Sequence, residues 1–432
     1  MSFEVIIVII AFFGLLFLNV PIAFCIGAAA LLGFYTMATV PAPFVMSQRM
    51  ATGIASFPLL AIPFFILSGV LMGESGMARR LMDFAVALVG GLRGGLSYVN
   101  TLTCMLFGAL SGSATAAVSS IGSFMIPEME RKGHTRSYAV AITTTSATTG
   151  LLIPPSNVMI IYAVVAGNVS VASLFMAGIL PGIVVGLLLM LVAFVGTFRK
   201  PALAAHADDI PAPGLPRAFL AALPSLGLVI VVLGGILGGI FSATEASAIA
   251  VAYAFILGVV VYREIPLGKL PSILLRGAKM TSIVMLLVGM SQTLSWFLAY
   301  EGIPQQVSDT VIALSDNPLV ILLLLNLVLL MVGAFLDMTP AVLIFTPIFL
   351  PVVLQLGMDP VHFGIMLIAN LCIGLCTPPV GTCLFVGCSV GRVPIAKVIA
   401  PIIPFFLAMV AALLLITYLP FLTLWLPGIL GL

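Results

Sequence analysis

Apolar segments of about 20 residues recur along the whole chain, and each is long enough to cross the hydrocarbon core of a bilayer as a helix. Hydrophobic residues make up 62% of the 432 residues and charged residues only 7%, whereas a soluble domain carries about 25% charged residues. The first apolar stretch, residues 5–18, has no basic residue before it, so we interpret it as a retained helix and not as a cleaved signal. The sequence therefore predicts an all-α polytopic membrane protein.

Positive charge indicates which connections between these segments face the cytoplasm. Lys and Arg gather in one set of connections, at Arg79, Arg80, Arg93, Arg131, Lys132, Arg136, Arg199, Lys200, Arg217, Arg263, Lys269, Arg276, Lys279, Arg392 and Lys397. The other connections, near residues 36–47, 167–170, 241–244, 301–318 and 357–360, contain no basic residue, and Arg49 is the exception to the pattern. Since cytoplasmic loops hold the excess of Lys and Arg, both termini are predicted to lie outside, in the periplasm.

The chain carries an internal repeat. The run Leu151-Leu-Ile-Pro-Pro-Ser-Asn157 matches Leu375-Cys-Thr-Pro-Pro-Val-Gly381. The spacing between these two runs also relates Gly133 to Gly357, Gly167 to Gly391 and Pro127 to Pro351. A series of matches at one spacing indicates that the two halves of the chain are duplicates.

Each half is predicted to contain three spans, a hairpin, a helix broken by Pro-Pro and a closing span. The first repeat covers residues 1–198, with an inward-face hairpin at about 94–127 and a broken helix at about 136–168. A cytoplasmic linker follows at 199–217, and the second repeat covers 218–432, with an outer-face hairpin at about 318–352 and a broken helix at about 361–390. Five crossings per half is an odd number, so the repeats are inverted. Inverted repeats with broken helices are typical of secondary transporters.

Four interruptions in the apolar segments mark the predicted site. Two are the Pro-Pro pairs, which open a helix and free backbone carbonyls. The other two are predicted hairpin tips, the small hydroxyl-rich run 110–116 and the run 333–341. Irregular backbone survives at membrane depth only around a cavity. Hydroxyl and carbonyl oxygens suit a small cation, and the N-termini of half-helices favour an anionic group. The combination suits co-transport of a cation with a carboxylate.

Some of these residues have a purely structural alternative. Small residues such as those of 111–115 also allow close packing of membrane helices. Asp337 is an acidic residue deep within an apolar segment, which makes it a functional candidate. It is also well placed to cap the helix that begins at Thr339-Pro340.

The remaining polar residues are assigned to structure. Thr244 is predicted to cap a helix with Glu245 in its first turn. Arg79, Arg80, Asp83 and Arg93 suggest an interfacial amphipathic helix whose basic face meets lipid headgroups. The three histidines (His134, His206 and His362) lie at or beside loops and are predicted to be surface residues. The six cysteines are predicted to be buried packing residues, so no transition-metal site is expected.

Five motifs resemble the large membrane (permease) subunit of tripartite ATP-independent periplasmic (TRAP) transporters. They are Gly112-Ser-Ala-Thr-Ala116, the turn 128–133, Ile153-Pro-Pro-Ser156, Phe335-Leu-Asp-Met-Thr-Pro340 and Cys376-Thr-Pro-Pro-Val-Gly381. The likeness runs from Asn19 to Pro404. One departure is Ala243-Thr-Glu-Ala246, where the family commonly has Pro before Thr.

The resemblance implies a fold, partners and a coupling ion. Such subunits are similar in fold to elevator-type ion transporters, with a scaffold built from the first three spans of each half. They work in the bacterial inner membrane with a small four-helix membrane subunit (DctQ-like) and a periplasmic substrate-binding protein (DctP-like). Sodium ions drive uptake of organic acids such as C4-dicarboxylates, sialic acids or other sugar acids. No organic cofactor and no nucleic-acid partner are implied.

The resemblance also implies site residues. The first sodium site would involve Ser111, Gly112, Ser113, Thr115, Pro154, Ser156 and Asn157. The second sodium site would involve Gly333, Asp337, Met338, Thr339, Thr377, Pro378 and Gly381. The substrate would lie between the tips, near Ser113, Asn157 and Thr382.

Three other functions compete with this interpretation. A channel uses similar re-entrant segments, and the permease subunit of an ATP-driven importer could have this composition. An intramembrane enzyme would need a Ser/His or Asp pair at membrane depth, and the sequence offers neither. We therefore expect no enzymatic activity.

Overall fold

The computed structural model describes residues 3–37, 41–199, 214–315, 317–378 and 380–432, and every regular element within these ranges is helical. Before residue 200 the helices are α1 (Phe3–Phe17), α2 (Ile22–Thr36), α3 (Ala42–Ile54), α4 (Ala61–Glu74), α5 (Met77–Val89), α6 (Gly95–Ser111), α7 (Ala114–Arg131), α8 (Arg136–Thr149), α9 (Asn157–Ala166) and α10 (Val171–Arg199). After residue 213 they are α11 (Leu215–Leu237), α12 (Ala243–Phe255), α13 (Leu270–Tyr300), α14 (Ile303–Leu314), α15 (Pro318–Phe335), α16 (Met338–Gln355), α17 (Pro360–Gly374), α18 (Thr382–Gly391), α19 (Ile395–Tyr418) and α20 (Phe421–Leu430). Most of the predicted linker 199–217, with His206, and Pro379 of the second Pro-Pro pair lie outside the described residues.

The membrane-protein fold class is confirmed. Within the described ranges, eight helical segments are long and apolar enough to cross a membrane. They include α10, α11 and α19, together with both arms of the hairpin formed by α15 and α16. The described helices α1, α2, α9 and α17 are apolar but shorter. The exact bounds of the two repeats stay a prediction.

Two helical hairpins occupy the places where the apolar runs were interrupted. In the first, α6 ends at Ser111, Gly112 takes a left-handed conformation with φ 61°, and α7 begins at Ala114. In the second, α15 ends at Phe335 and α16 begins at Met338. Only two residues separate the two helices of each hairpin, so each turn lies within an apolar stretch of the sequence.

Two helices are broken at the predicted prolines. The first break separates α8 from α9 and contains Pro154 and Pro155. The second separates α17 from α18 and contains Pro378. Two consecutive prolines withhold two N–H groups from a helix, which favours a break at each place, whereas a single proline such as Pro181 lies inside the continuous helix α10.

Each hairpin crosses the broken helix of its own half, glycine against glycine. A Cβ built on Gly108 of α6 would lie 2.8 Å from the Cα of Gly150, at the end of α8. A Cβ built on Gly374 of α17 would lie 2.6 Å from the Cα of Gly333 in α15. Gly150 and Gly374 are separated by the same stretch of sequence as Pro154 and Pro378, so the close approach occurs at equivalent places of the two halves.

Helices of the two halves pack against each other in matching pairs. The hairpin helix α7 packs against α18, and the hairpin helix α16 packs against α9. Away from the hairpins, α2 packs against α13 and α4 packs against both α12 and α13. The hairpins and the broken helices thus pack together as one group, and α4 and α13 lie next to this group.

The surroundings of Arg80, in α5, differ from the prediction. The guanidinium of Arg80 forms an ion pair with Glu264 at 2.8 Å and lies 3.7 Å from the centroid of the Tyr262 ring. The prediction that this side chain faces lipid headgroups is therefore wrong, because α5 packs against the protein on its Arg80 side.

Two histidines and one helix cap also correct the sequence interpretation. His134 and His362 are 3% and 1% exposed, so neither is a surface residue. His134 stacks on the ring of Tyr138, and Nδ1 of His362 lies 2.7 Å from Thr423 Oγ1. The cap of α12 is Ser242, not Thr244, because the Ser242 hydroxyl accepts a hydrogen bond from the backbone N–H of Glu245.

Candidate functional site

A cavity of about 200 Å³ lies where the two hairpin tips and the two helix breaks meet. Residues of α4 and α13 line its remaining side. The lining residues are Ile62, Ile66, Gly112, Ser113, Ala114, Thr115, Leu151, Asn157, Val158, Ile161, Met280, Val284, Asp337, Met338, Thr339, Leu375 and Thr382. Ser113, Asn157 and Thr382, the three residues predicted to surround the substrate, all line this one cavity.

The first hairpin tip presents a compact group of oxygen atoms. Ser113 precedes the first residue of α7, and its hydroxyl accepts a hydrogen bond of 3.3 Å from the backbone N–H of Ala116. The hydroxyls of Ser113 and Thr115 are 3.2 Å apart. A Cβ on Gly112 would lie 3.1 Å from Asn157 Nδ2, so the tip touches the start of α9. A bulkier residue than Gly112 would separate these two parts of the site.

The second hairpin tip places a carboxylate at the equivalent position. Asp337 is the counterpart of Ser113 at the spacing of the internal repeat, and it precedes the first residue of α16. Its Oδ1 accepts a hydrogen bond of 3.2 Å from the hydroxyl of Thr382. The backbone N–H of Val380 donates to the carbonyl of Ala334 at 3.1 Å. The tip and the second helix break are therefore held together by both side-chain and backbone contacts.

Four helices begin at the cavity. The first residues of α7, α9, α16 and α18 are Ala114, Asn157, Met338 and Thr382, and all four line it. A helix N-terminus carries about half a positive charge on backbone N–H groups that have no partner within the helix. No Lys or Arg is among the described lining residues. Positive potential in the cavity therefore comes from backbone dipoles.

The donor atoms fit a small hard cation. Hydroxyl, amide and carboxylate oxygens are the ligands that such cations prefer. Ser156, in the first helix break, is 0% exposed, and its Oγ has no hydrogen-bond partner among the described residues. A buried hydroxyl without a partner is costly, and a bound cation would supply that partner. Within the described part of the chain, no cluster of three or more His, Cys, Asp or Glu residues could hold a metal ion.

Several predicted site residues lie around the cavity without lining it. The Ser111 hydroxyl donates to the Ser113 carbonyl at 3.4 Å, and the Thr377 hydroxyl donates to the Ile373 carbonyl at 2.8 Å. Gly333 lies at the crossing with Gly374. Pro154, Ser156, Pro378 and Gly381 belong to the two helix breaks.

Sequence reasoning missed the apolar part of the cavity. Ile62 and Ile66 of α4 and Met280 and Val284 of α13 face the hairpin tips across it. Apolar residues within apolar helices carry no local signal of function, so only the packing of distant segments could identify them. Leu151, Val158, Ile161 and Leu375 were missed for the same reason.

Comparison with known proteins identifies the family. Residues 9–422 match the family described as "Tripartite ATP-independent periplasmic transporter, DctM component". The YgiK protein of Salmonella typhimurium is 48% identical over 99% of both chains. The C4-dicarboxylate TRAP transporter large permease DctM of Pseudomonas aeruginosa is 41% identical over 87% of each chain. The sialic acid TRAP transporter large permease SiaM of Vibrio cholerae is 37% identical over 97% of each chain.

A solved structure shares the fold. The YdaH transporter of Alcanivorax borkumensis matches with a TM-score of 0.64 at 15% identity, over 89% of this chain and 87% of that one. The two chains therefore share the arrangement of their helices. Together with the family match along nearly the whole chain, these relatives show that the protein is a multi-pass membrane subunit that belongs to the tripartite ATP-independent periplasmic transporter family, as its DctM component, the large permease.

Proposed function

We propose that this large permease subunit couples the inward movement of sodium ions to the uptake of an organic acid. The acid would be a C4-dicarboxylate, a sialic acid or another sugar acid, which are substrates of the kind named for its relatives. The observation that carries the proposal is the single cavity lined by both hairpin tips and by both helices that follow the breaks.

The cavity supplies complementary groups for both solutes. Four helix N-termini favour the carboxylate of a substrate, and the oxygens of Ser113, Thr115, Asn157, Asp337 and Thr339 suit sodium. In the first site, Ser156 Oγ supplies a further oxygen that lacks a partner among the described residues. In the second site, the Asp337 carboxylate supplies a negative charge to neutralise a cation.

The coupling is energetically reasonable. Each net positive charge that moves inward gains about 2.3 kcal/mol per 100 mV of membrane potential. A dianion that enters with more than two sodium ions is therefore drawn in by the potential. Without sodium, the same dianion would be repelled.

We further propose an elevator mechanism, with the hairpins and broken helices moving together. The paired contacts of α7 with α18 and of α9 with α16 tie these elements to one another. Helices α4 and α13 border the cavity with apolar side chains, which a moving polar site can pass without breaking hydrogen bonds. In this proposal the substrate is carried across together with its site.

The proposal includes partners and an orientation. The subunit would work in the bacterial inner membrane with a small four-helix membrane subunit and a periplasmic substrate-binding protein. The distribution of Lys and Arg supports a periplasmic location for both termini.

Uptake into proteoliposomes tests the function. The permease and its small subunit are reconstituted, a periplasmic binding protein loaded with radiolabelled succinate or sialic acid is supplied outside, and inward gradients of sodium and potassium are compared. We expect uptake that needs both sodium and the binding protein and that is lost in Asp337→Asn. Asp309→Asn, at an exposed position of α14, is the matched control and should transport normally. Flux that needs neither sodium nor the binding protein would show a channel instead.

A further inference from the structure

The two sides of the cavity differ in chemistry. Every lining residue from α4 and α13 is apolar, namely Ile62, Ile66, Met280 and Val284. We call these four residues the apolar wall. The polar groups all come from the hairpin tips and the helix breaks on the opposite side. A ligand in the cavity therefore meets hydrogen-bonding groups on one side only.

The apolar wall is open to a ligand at α13. Met280 and Val284 are four positions apart, so they lie on one face of the helix. Met280 is 40% exposed and Val284 is partly exposed, whereas Ile62 and Ile66 are buried. A ligand that enters the cavity would thus contact Met280 and Val284 directly.

An apolar wall discriminates against hydroxyl groups. A hydroxyl that loses its hydrogen bonds to water and finds none in the protein costs about 1–3 kcal/mol. The cavity is also small, at about 200 Å³, compared with the roughly 300–1,000 Å³ of pockets for drug-sized ligands. Both properties disfavour a long polyhydroxylated acid.

We propose that the substrate is a compact carboxylic acid whose hydrocarbon part lies against Met280 and Val284. Its carboxylate groups point towards the helix N-termini and hydroxyls of the opposite side. This inference rests on the proposed function and narrows it, because it selects the less hydroxylated of the organic acids.

Binding of matched pairs of acids tests the inference. Succinate and tartrate have the same carbon number and charge and differ by two hydroxyls, as hexanoate and gluconate differ by five. Their affinities for the purified permease with its small subunit are measured by calorimetry at a fixed sodium concentration. We expect the acid without hydroxyls to bind more than about tenfold more tightly in each pair, with the larger preference for hexanoate over gluconate.

Substitutions in the wall give a second readout. Val284→Thr replaces a methyl by a hydroxyl at nearly constant volume, and Met280→Gln adds an amide. Each substitution should reduce the preference for the acid without hydroxyls over its hydroxylated partner roughly fivefold, equivalent to about 1 kcal/mol. Val231→Thr, an exposed position of α11, is the matched control and should leave the preference unchanged.

The outcomes separate the two proposals. Sodium-dependent binding in which tartrate and gluconate equal or exceed their partners would overturn the inference and leave the sodium-coupled function intact. An unchanged preference in both wall variants would also overturn it, since the wall would then not contact the ligand. If none of the four acids binds in a sodium-dependent manner, the inference is wrong, whereas the proposed function is decided separately by binding-protein-dependent uptake into proteoliposomes.

Discussion

Thr382 donates a hydrogen bond of 3.2 Å from its hydroxyl to Oδ1 of Asp337, which joins the start of α18 to the tip of the second hairpin. The equivalent position of the first hairpin is Ser113, a neutral residue whose hydroxyl accepts from Ala116 N–H instead. The two halves therefore share a backbone arrangement but differ in charge. One side of the cavity holds a carboxylate, and the other holds only neutral oxygens.

Removing the Thr382 hydroxyl should weaken sodium coupling. Hydrogen bonds to charged groups contribute about 1.5–3 kcal/mol, so Thr382→Val leaves the Asp337 carboxylate less well oriented. We expect a roughly tenfold rise in the sodium concentration needed for half-maximal uptake. The measurement is uptake as a function of sodium concentration in proteoliposomes. An unchanged sodium dependence would show that Asp337 does not act through Thr382.

Removal of the Ser156 hydroxyl should change the effect of sodium on the stability of the protein. Ser156→Ala removes a buried oxygen without a partner among the described residues, so it should not lower the stability of the protein without sodium. If the oxygen binds sodium, the variant loses the part of the sodium-induced rise in melting temperature that depends on this site. Melting curves with sodium and with potassium provide the measurement. A lower melting temperature in potassium would instead indicate a structural role.

The glycine crossings should not tolerate a methyl group. Gly150→Ala and Gly374→Ala place a Cβ against the backbone of the crossing helix, and overpacking of this kind costs about 1–3 kcal/mol. We expect a lower melting temperature for each variant in detergent. Gly14→Ala in α1, where a Cβ meets nothing within 4 Å, is the control. Melting temperatures equal to that of the control would mean that the crossings are looser than the structure indicates.

Acid should destabilise the protein through His134. Burial lowers the pKa of this side chain below its ordinary value of 6.5. Below pH 6.5 the unfolded state therefore binds a proton that the folded state does not, and stability falls by up to about 1.4 kcal/mol per pH unit. His134→Phe keeps the aromatic contact with Tyr138 but cannot titrate. Melting temperatures from pH 8 to pH 5 should fall more steeply for the wild type, and parallel curves would contradict this.

Labelling with a membrane-impermeant maleimide tests the orientation. The six native cysteines are buried, so they should react slowly in the folded protein. Gln305→Cys, an exposed residue of α14, should be labelled from the periplasmic side of intact cells. Lys397→Cys, exposed near the start of α19, should react only after the membrane is opened. The reverse pattern would invert the predicted topology.

The local features of the fold could be predicted because their causes are local. The paired prolines that begin at Pro154 and Pro378 favour a helix break, since each proline removes an N–H and clashes with the preceding turn, although a single proline such as Pro181 lies within a continuous helix. Gly112 and Asp337 mark hairpin turns by their chemistry within apolar segments. Apart from the cap of α12, the errors concern tertiary contacts. The sequence pattern places Arg80 at lipid headgroups because its partner, Glu264, lies in the other half of the sequence, and it places His134 and His362 at the surface because they adjoin loops.

Composition and motif spacing were enough to predict a helical membrane protein with an internal repeat, two hairpins and two broken helices. The hydrophobicity of the segments can be recognised without knowing any tertiary contact. The same is true of the proline and small residues that recur at one constant spacing. Only the packing of distant helices brings Ile62, Ile66, Met280 and Val284 to the cavity that Ser113, Asn157, Asp337 and Thr382 share. A site assembled from both halves depends on how distant helices pack, and apolar residues acquire a role in binding only when packing turns them towards a cavity.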